Sequence, residues 1–429
     1  MARIWNHSTK LMTGKHKQSS FDYAQDRNTP LKPHTSSLRG KRKVFVAISG
    51  GVDSAVSAAL LLKKGYEVVG VFIKTWHPDF LECNEEEERR DAMRIAAHLD
   101  IPFLTFDFED VYKKEVADYM ISEYKKGRTP NPDVMCNKEV KFGAFLKKAI
   151  SMGADFVATG HYARNENSKN FPAFALGDIG QGTHGSQNSL NFHLLKGIDF
   201  SKDQSYFLWT LKQEQLKKIL FPIGHLKKIE VRKLAKKFNL PVAVKKDSQG
   251  ICFLGDINLK EFLKHYIKEK RGKVLNEKRE VIGYHNGVVF HTLGERHGFS
   301  ITKKNPNDGP YYIIGKNIKK NILIVSQNKN LINSPAFALG DIGQGTHGSS
   351  NLLNFVFLIK NVNWIHETPK LNKTYTAQIR YHGELLSCKV KITGKTKAEI
   401  VFQKPILVAS GQSCVIYDGD ICLGGGVAH

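Results

Sequence analysis

The chain has 429 residues, 41% hydrophobic and 24% charged, with 64 Lys and Arg against 41 Asp and Glu, a formal net charge of +23. That length is too great for one ordinary core and fits two or three soluble globular domains, while the charge asks for a polyanionic partner and is silent on fold. No apolar run reaches the roughly 18 residues of a membrane span, and the cysteines include no CxxC pair, which excludes a zinc knuckle and a thioredoxin motif.

Residues 1–43 are polar, with ten Lys or Arg against two Asp, and show no apolar periodicity. They read as a disordered leader; a basic, acid-poor leader also has the character of a mitochondrial transit peptide. Order begins at Val44, where Val44-Phe45-Val46-Ala47-Ile48 suits a buried parallel strand. A Ser-Gly-Gly turn leads into a helix over 53–64. A strand over 67–73, a helix over 85–99 and a strand over 102–108 follow, then helices over 110–126 and 139–152 and a strand over 156–159. This alternation predicts an α/β fold with a doubly wound parallel sheet, whose ligands bind beyond the carboxyl ends of the strands.

Residues 213–270 are Lys-rich and helical in pattern, with a loop over 245–256. Beyond about 283 the pattern changes to short strands with Gly, Asn and Pro turns. The runs 374–381, 385–393, 397–402, 413–417 and 421–423 predict a C-terminal antiparallel β-barrel. The expected domains are a catalytic domain over 44–222, a small central domain over 223–290 and the barrel domain over 291–429. Residues 172–192 and 335–355 agree at 19 of 21 positions. Two copies do not make a solenoid, and both read as surface loop insertions, which cost little entropy.

The joint between the first strand and first helix is Ser49-Gly50-Gly51-Val52-Asp53-Ser54. Its glycines free backbone N–H groups to face an anion, the helix N-terminus adds its positive end, and the serines add donors. Asp53 would repel phosphate unless a cation intervenes, so Mg²⁺ is expected. The Lys of a Walker A loop is absent. On this loop the chain resembles the PP-loop ATP pyrophosphatase superfamily (adenine nucleotide α-hydrolase-like), whose members cleave ATP between the α and β phosphates and adenylate an acceptor oxygen.

Two cysteines narrow the choice. Asn131-Pro132-Asp133-Val134-Met135-Cys136-Asn137-Lys138 puts Cys136 on a Pro-stiffened turn ahead of the helix at 139–152, where Lys138 and Lys141 favour a thiolate. Asp247-Ser248-Gln249-Gly250-Ile251-Cys252-Phe253 puts Cys252 in a Gly-containing loop after Lys245 and Lys246. Cys388, Cys414 and Cys422 sit in strand-like patterns and read as core.

With Gly160-His161-Tyr162-Ala163-Arg164, Lys202 to Leu208, His291 to Gly294, Gly411-Gln412 and Leu423 to Gly426, these motifs resemble the tRNA-specific 2-thiouridylase family from about Val44 to the C-terminus. Glu295 stands where that pattern has Gln. The resemblance implies Cys136 as nucleophile, Cys252 as persulfide carrier and a transient disulfide between them, with Asp133 orienting the base or exchanging protons with it. It assigns ATP contacts to Ala47, Ile48, Ser49, Gly50, Gly51, Val52, Asp53, Ser54, Ile73 and Gly160, and target-base contacts to Asn131, Pro132 and Asp133. It assigns tRNA contacts to His161, Lys202, Asp203, Gln204, Arg380, Tyr381 and Gln412. The implied substrates are ATP and a tRNA with a wobble uridine; sulfur comes from a cysteine desulfurase or a relay protein. The expected compartment is the cytoplasm, with the mitochondrion as alternative. The competing functions are an amidating PP-loop synthetase, a 4-thiouridine-type thiolase and a non-enzymatic RNA-binding scaffold.

Overall fold

The computed structural model describes residues 40–81, 84–167, 191–247, 250, 252, 258–303, 308–328, 356–404, 406 and 408–429. The leader up to residue 39, the first duplicated stretch up to residue 190 and the whole of the second lie outside the described residues.

The chain opens with β1 (Lys43–Ala47), α1 (Val52–Lys63), β2 (Glu67–Lys74), α2 (Glu85–His98) and β3 (Phe103–Asp107). Residues 109–125 are helical, with a π-helical segment Lys113–Asp118 in the middle. A second helical run follows from Pro132, then β4 (Phe156–Ala158), the hairpin of β5 (Ala163–Asn167) and β6 (Phe192–Lys196), and β7 (Ile219–Leu220). The first sheet has the order β3-β2-β1-β4-β7 with every pair parallel. Val44 and Val46 pack into one buried cluster and Phe45 into the other, so β1 is covered on both faces, as an unbroken apolar run requires. Strand order reverses between β1 and β4. Their carboxyl ends, at residues 48–51 and 159–161, therefore frame the crevice where such sheets take ligands.

The helix Lys228–Lys237 returns to this domain. Val231 and Ala235 are buried in the same cluster as Val44, Val56 and Ala59. The stretch 223–290 is thus shared between the first domain and the second sheet, because this amphipathic helix buries its apolar side against α1.

Five strands make the second sheet: β8 (Gly272–Leu275), β9 (Val281–His285), β10 (Phe299–Ile301), β11 (Tyr312–Asn317) and β12 (Ile322–Ser326), in the order β10-β9-β8-β12-β11. Val274, Ile282, Ile313, Leu323 and Val325 form its own small core. The last domain holds β13 (Val356–Trp364), β14 (Tyr375–Gln378), β15 (Leu386–Gly394), β16 (Lys397–Phe402), β17 (Ser413–Asp418) and β18 (Ile421–Ala428). Pairing of β13 with β18 closes these strands into an antiparallel barrel, which removes its free edges. The β5–β6 hairpin pairs onto β18 through Leu194 and Leu195, fixing the barrel to the first domain. One consequence is that the barrel loop carrying Tyr381 and His382 reaches the sheet's crevice.

Candidate active site

One cavity of about 1070 Å³ runs from the phosphate-type loop to Cys252. Ala47, Ile48, Ser49, Gly51, Val52, Asp53, Ser54, Ile73 and Gly160 line one end, and Asp133, Asn137, Lys141 and Cys252 the other. Tyr381 and His382 of the barrel and Phe262 and His265 of the middle region complete the wall.

The loop end is shaped by its own hydroxyls. Ser49 N–H donates to Ser54 Oγ at 3.3 Å, and Ser54 Oγ donates to the Gly51 carbonyl at 3.1 Å. Gly50 has φ +73°, where L side chains are strained, and a Cβ there would stand 2.6 Å from the Glu88 carbonyl oxygen. Gly160 presses on the start of α1; a Cβ there would lie 2.7 Å from Ser54 N and 2.9 Å from the Asp53 carbonyl carbon.

Asp53 does not stand open to a metal. Lys228 Nζ donates to its two oxygens at 2.8 and 2.9 Å, and Tyr162 Oη donates at 2.9 Å. Lys228 also pairs with Asp247 at 2.8 Å, and Lys202 donates to Asp247 at 3.0 Å. Arg232 adds a third cation to Asp247. Burial works against the Asp247 charge, and Lys228 and Lys202 more than offset it, holding the carboxyl well below its usual range. Lys228 thereby ties the phosphate-type loop to the stalk of the Cys252 loop. Among the described residues no group of three or more His, Cys, Asp or Glu is placed to hold a metal ion.

At the sulfur end, Cys136 Sγ donates to Cys252 Sγ at 3.6 Å, although the residues lie 116 apart in the chain. A disulfide needs about 2.05 Å, so a modest approach joins them. Cys252 is held from three sides: its N–H donates to Asp133 Oδ1 at 2.8 Å, its carbonyl accepts from Tyr112 Oη at 2.7 Å, and its sulfur meets Cys136. Cys136 is fully buried and lies behind Cys252, which is half-buried and faces the cavity.

The local structure around Cys136 differs from the turn expected of it. Pro132–Met135 is already helical, with Pro at its start, and Asn131 Oδ1 accepts from Val134 N at 3.1 Å as a cap. A π-helical segment, Cys136–Phe145, follows directly, then Leu146–Ser151. Asp133, not Cys136, occupies the helix's first turn. Accordingly the thiolate expected at Cys136 falls on its partner. Burial, then the neighbouring Cys252, push the Cys136 thiol well up, whereas the hydrogen bond from Cys136, helped by Lys141, brings Cys252 down to about 7. One proton serves two facing sulfurs, and the buried member keeps it. Lys138 is exposed and paired with Glu139 at 2.7 Å. Burial raises the Asp133 carboxyl, partly countered by the Cys252 N–H.

The residues expected to meet RNA are not all at the cavity. Lys202, Gln204 and Tyr381 line it; the Tyr381 ring stacks on His382 at 3.9 Å and lies tilted against Phe207 at 4.3 Å. His161 also reaches it, yet is buried against Phe142 and Phe221 and bonded to Thr159 Oγ1 at 2.7 Å. Asp203 faces its own loop, accepting from Gly197 N, Ser205 N and Ser205 Oγ. Arg380 donates to the Leu293 carbonyl, and Gln412 accepts from Ala409 N where the barrel meets the 128–129 segment. Asn131 and Pro132 hold the helix start instead of lining the cavity. Tyr112 and Lys228 were not singled out from sequence. Their partners are 140 and 175 residues away, and no local pattern announces them. Cys388, Cys414 and Cys422 are buried in strands of the barrel, as read from the sequence.

Comparison with known proteins gives three family matches in chain order: a tRNA methyl transferase HUP domain over residues 42–256, a tRNA methyl transferase PRC-barrel domain over 260–327, and an aminomethyltransferase beta-barrel domain over 355–428. The chain is 40% identical over 392 residues to a tRNA-specific 2-thiouridylase MnmA of Streptococcus thermophilus, covering 90% of this chain and 95% of that protein. It is 41% identical over 390 residues to a protein of the same name from Listeria monocytogenes, covering 90% and 94%. Among solved structures, a 4-thiouridine synthetase–RNA complex with bound ATP matches with 19% identity and a TM-score of 0.29, over 52% of this chain and 50% of that one.

Proposed function

This chain belongs to the tRNA-specific 2-thiouridylase family, and we propose that its cavity replaces the C2 oxygen of a wobble uridine with sulfur in two steps, ATP activation and transfer from Cys252. It is a tRNA sulfurtransferase. The observation that carries the two-step reading is the shared cavity: a nucleotide-type loop at one end and a cysteine pair in sulfur contact at the other.

In the first step ATP lies with its phosphates against Ser49, Gly50, Gly51 and Ser54, and the uridine O2 attacks the α phosphorus. Pyrophosphate leaves and the base carries AMP at O2, which turns a poor leaving oxygen into a good one. In the second step Cys252 carries a sulfane sulfur received from a persulfide donor, a cysteine desulfurase or a relay protein. The terminal sulfur attacks C2 and AMP departs with the oxygen. Cys136 then attacks Cys252 Sγ, its proton passing to the base, and breaks the bond to the transferred sulfur, which stays on C2. A Cys136–Cys252 disulfide remains, and a thiol reductant returns both with two electrons. Exposure supports this division: the donor reaches Cys252 from the cavity, while Cys136 waits behind it. Asp133 holds the Cys252 backbone, and its raised carboxyl suits proton exchange with the base.

Mg²⁺ enters this reading with the triphosphate. In the structure Lys228 and Tyr162 occupy the Asp53 oxygens, so the triphosphate itself would hold the cation, which would offset its charge against Asp53. The tRNA is held by charge-dependent contacts, among them Lys202, and by stacking near Phe207, Tyr381 and His382, the usual mode for an extruded base. Among the described residues the cysteines are free, which suits a reducing compartment such as the cytoplasm.

Nucleoside mass spectrometry tests the reading. Purified protein with ATP, a persulfide donor, a thiol reductant and unmodified tRNA is expected to yield 2-thiouridine at the wobble position. Formation of 4-thiouridine, or sulfur incorporation without ATP, would contradict it.

A further inference from the structure

We propose that Lys141 is the catalytic cation of the sulfur pair: its ammonium hydrogen-bonds the Cys252 side chain inside the cavity and stabilises the sulfur anion, first as the thiolate that accepts sulfur and then as the persulfide anion that attacks the base. This rests on the two-cysteine reading above and adds a residue to it.

The helix geometry explains why this lysine and not its neighbour is in place. Cys136 and Lys141 are five residues apart. In an α-helix that spacing is roughly 500° of rotation, about 140° away from alignment. The segment Cys136–Phe145 is π-helical, with i→i+5 hydrogen bonds and a wider turn than the α-helix, so a residue five places on is rotated much nearer to alignment and Lys141 comes round toward the side of Cys136. Lys138, on the other hand, points to solvent and pairs with Glu139.

The groups facing Lys141 are Cys136, Cys252, Asp133 and His161. Tyr112 stands beside the same sulfurs through the Cys252 carbonyl. Burial works against the Lys141 charge, and the two sulfurs and Asp133 more than offset it, so the ammonium persists. His161 is kept neutral by burial first and by Lys141 second, so it does not compete as a cation. Among the described residues of this group Lys141 is the one that carries a positive charge, and a persulfide needs such a partner because its reactive form is the anion.

The test is the pH profile of Cys252 alkylation by iodoacetamide in the reduced full chain, read by peptide mass spectrometry without ATP or tRNA. In the unsubstituted protein the rate is expected to rise through about pH 7. Lys141→Met should shift the profile upward and slow alkylation at pH 7 by about tenfold or more, one unit of pKa being a factor of ten. Lys141→Arg should restore most of the rate. If Lys141→Met is unstable, Lys141→Gln against Lys141→Arg makes the same comparison of charge. An unshifted profile in the uncharged variants overturns the inference. Since alkylation involves neither RNA nor ATP, that failure is distinct from failure of the thiolation reading, which would appear as sulfur transfer by a Cys252→Ser protein.

Discussion

Cys252→Ser protein is expected to release pyrophosphate from ATP in the presence of tRNA and to form no 2-thiouridine. The two ends of the cavity are built by different segments, Ser49 to Ser54 with Gly160 at one and Asp133 with Cys252 at the other. Activation should therefore proceed when the sulfur carrier is gone. A serine hydroxyl cannot carry sulfane sulfur, so the loss should be on the order of 10³-fold or more, the scale of removing a covalent nucleophile. Cys136→Ser loses multiple turnover to a similar degree by a different route. Sulfur still reaches Cys252, because Cys136 is buried and the donor meets Cys252. Release from Cys252 then fails: with ATP and tRNA the base should stay joined to Cys252 through the added sulfur, and with donor alone Cys252 persulfide should accumulate. Peptide mass spectrometry after incubation with donor separates the variants: an added sulfur at Cys252 in Cys136→Ser, none in Cys252→Ser. Near-normal thiolation by either variant would end the two-cysteine scheme.

Gly160→Ala should slow the first step by about a hundredfold. The added Cβ would stand 2.7 Å from Ser54 N and 2.9 Å from the Asp53 carbonyl carbon, both backbone atoms at the start of α1. A flexible side chain could yield, whereas these atoms hold the donors of the phosphate cradle. Something must shift by several tenths of an ångström, and the atoms that meet the Cβ belong to the loop itself. Misplacement on the order of 1 Å in a pre-organised site costs about 10²-fold in rate, so ATP-dependent pyrophosphate release should fall by about that factor. Alkylation of Cys252 at the far end of the cavity should stay as it was. Pyrophosphate release at the rate of the unsubstituted protein would show that Gly160 does not shape the nucleotide site.

The contrast between these two ends also marks what the sequence allowed. The phosphate-type loop was legible because its parts are contiguous: an apolar strand over 44–48, two glycines, two serines and a helix, all within one crossover. The parallel sheet was legible for the same reason, through short apolar runs alternating with helical ones. The barrel's strands were readable one by one, but its closure by β13 with β18 and its join to β6 are long-range pairings that no window reports. At Cys136 the sequence misled, because Asn-Pro-Asp is both a turn signal and a helix start; the Asn131 cap decides for the helix. That earlier helix start, at Pro132 and not at 139, moves Cys136 from an expected helix N-terminus into a buried π segment, and with it the low-pKa sulfur to Cys252. The Asp53–Lys228–Asp247 link and the Tyr112 bond to Cys252 join residues far apart in the chain, and only the folded chain brings them together.

The central claim is that Cys136 and Cys252 act on the same sulfur beside the activated base. Single-turnover thiolation, run with ATP and tRNA on protein preloaded with persulfide and with reductant withheld, tests it most directly. Quantitative peptide mass spectrometry should find one Cys136–Cys252 disulfide for each 2-thiouridine formed. Thiolated tRNA with both cysteines still free, or a disulfide joining either one to another residue, would contradict it.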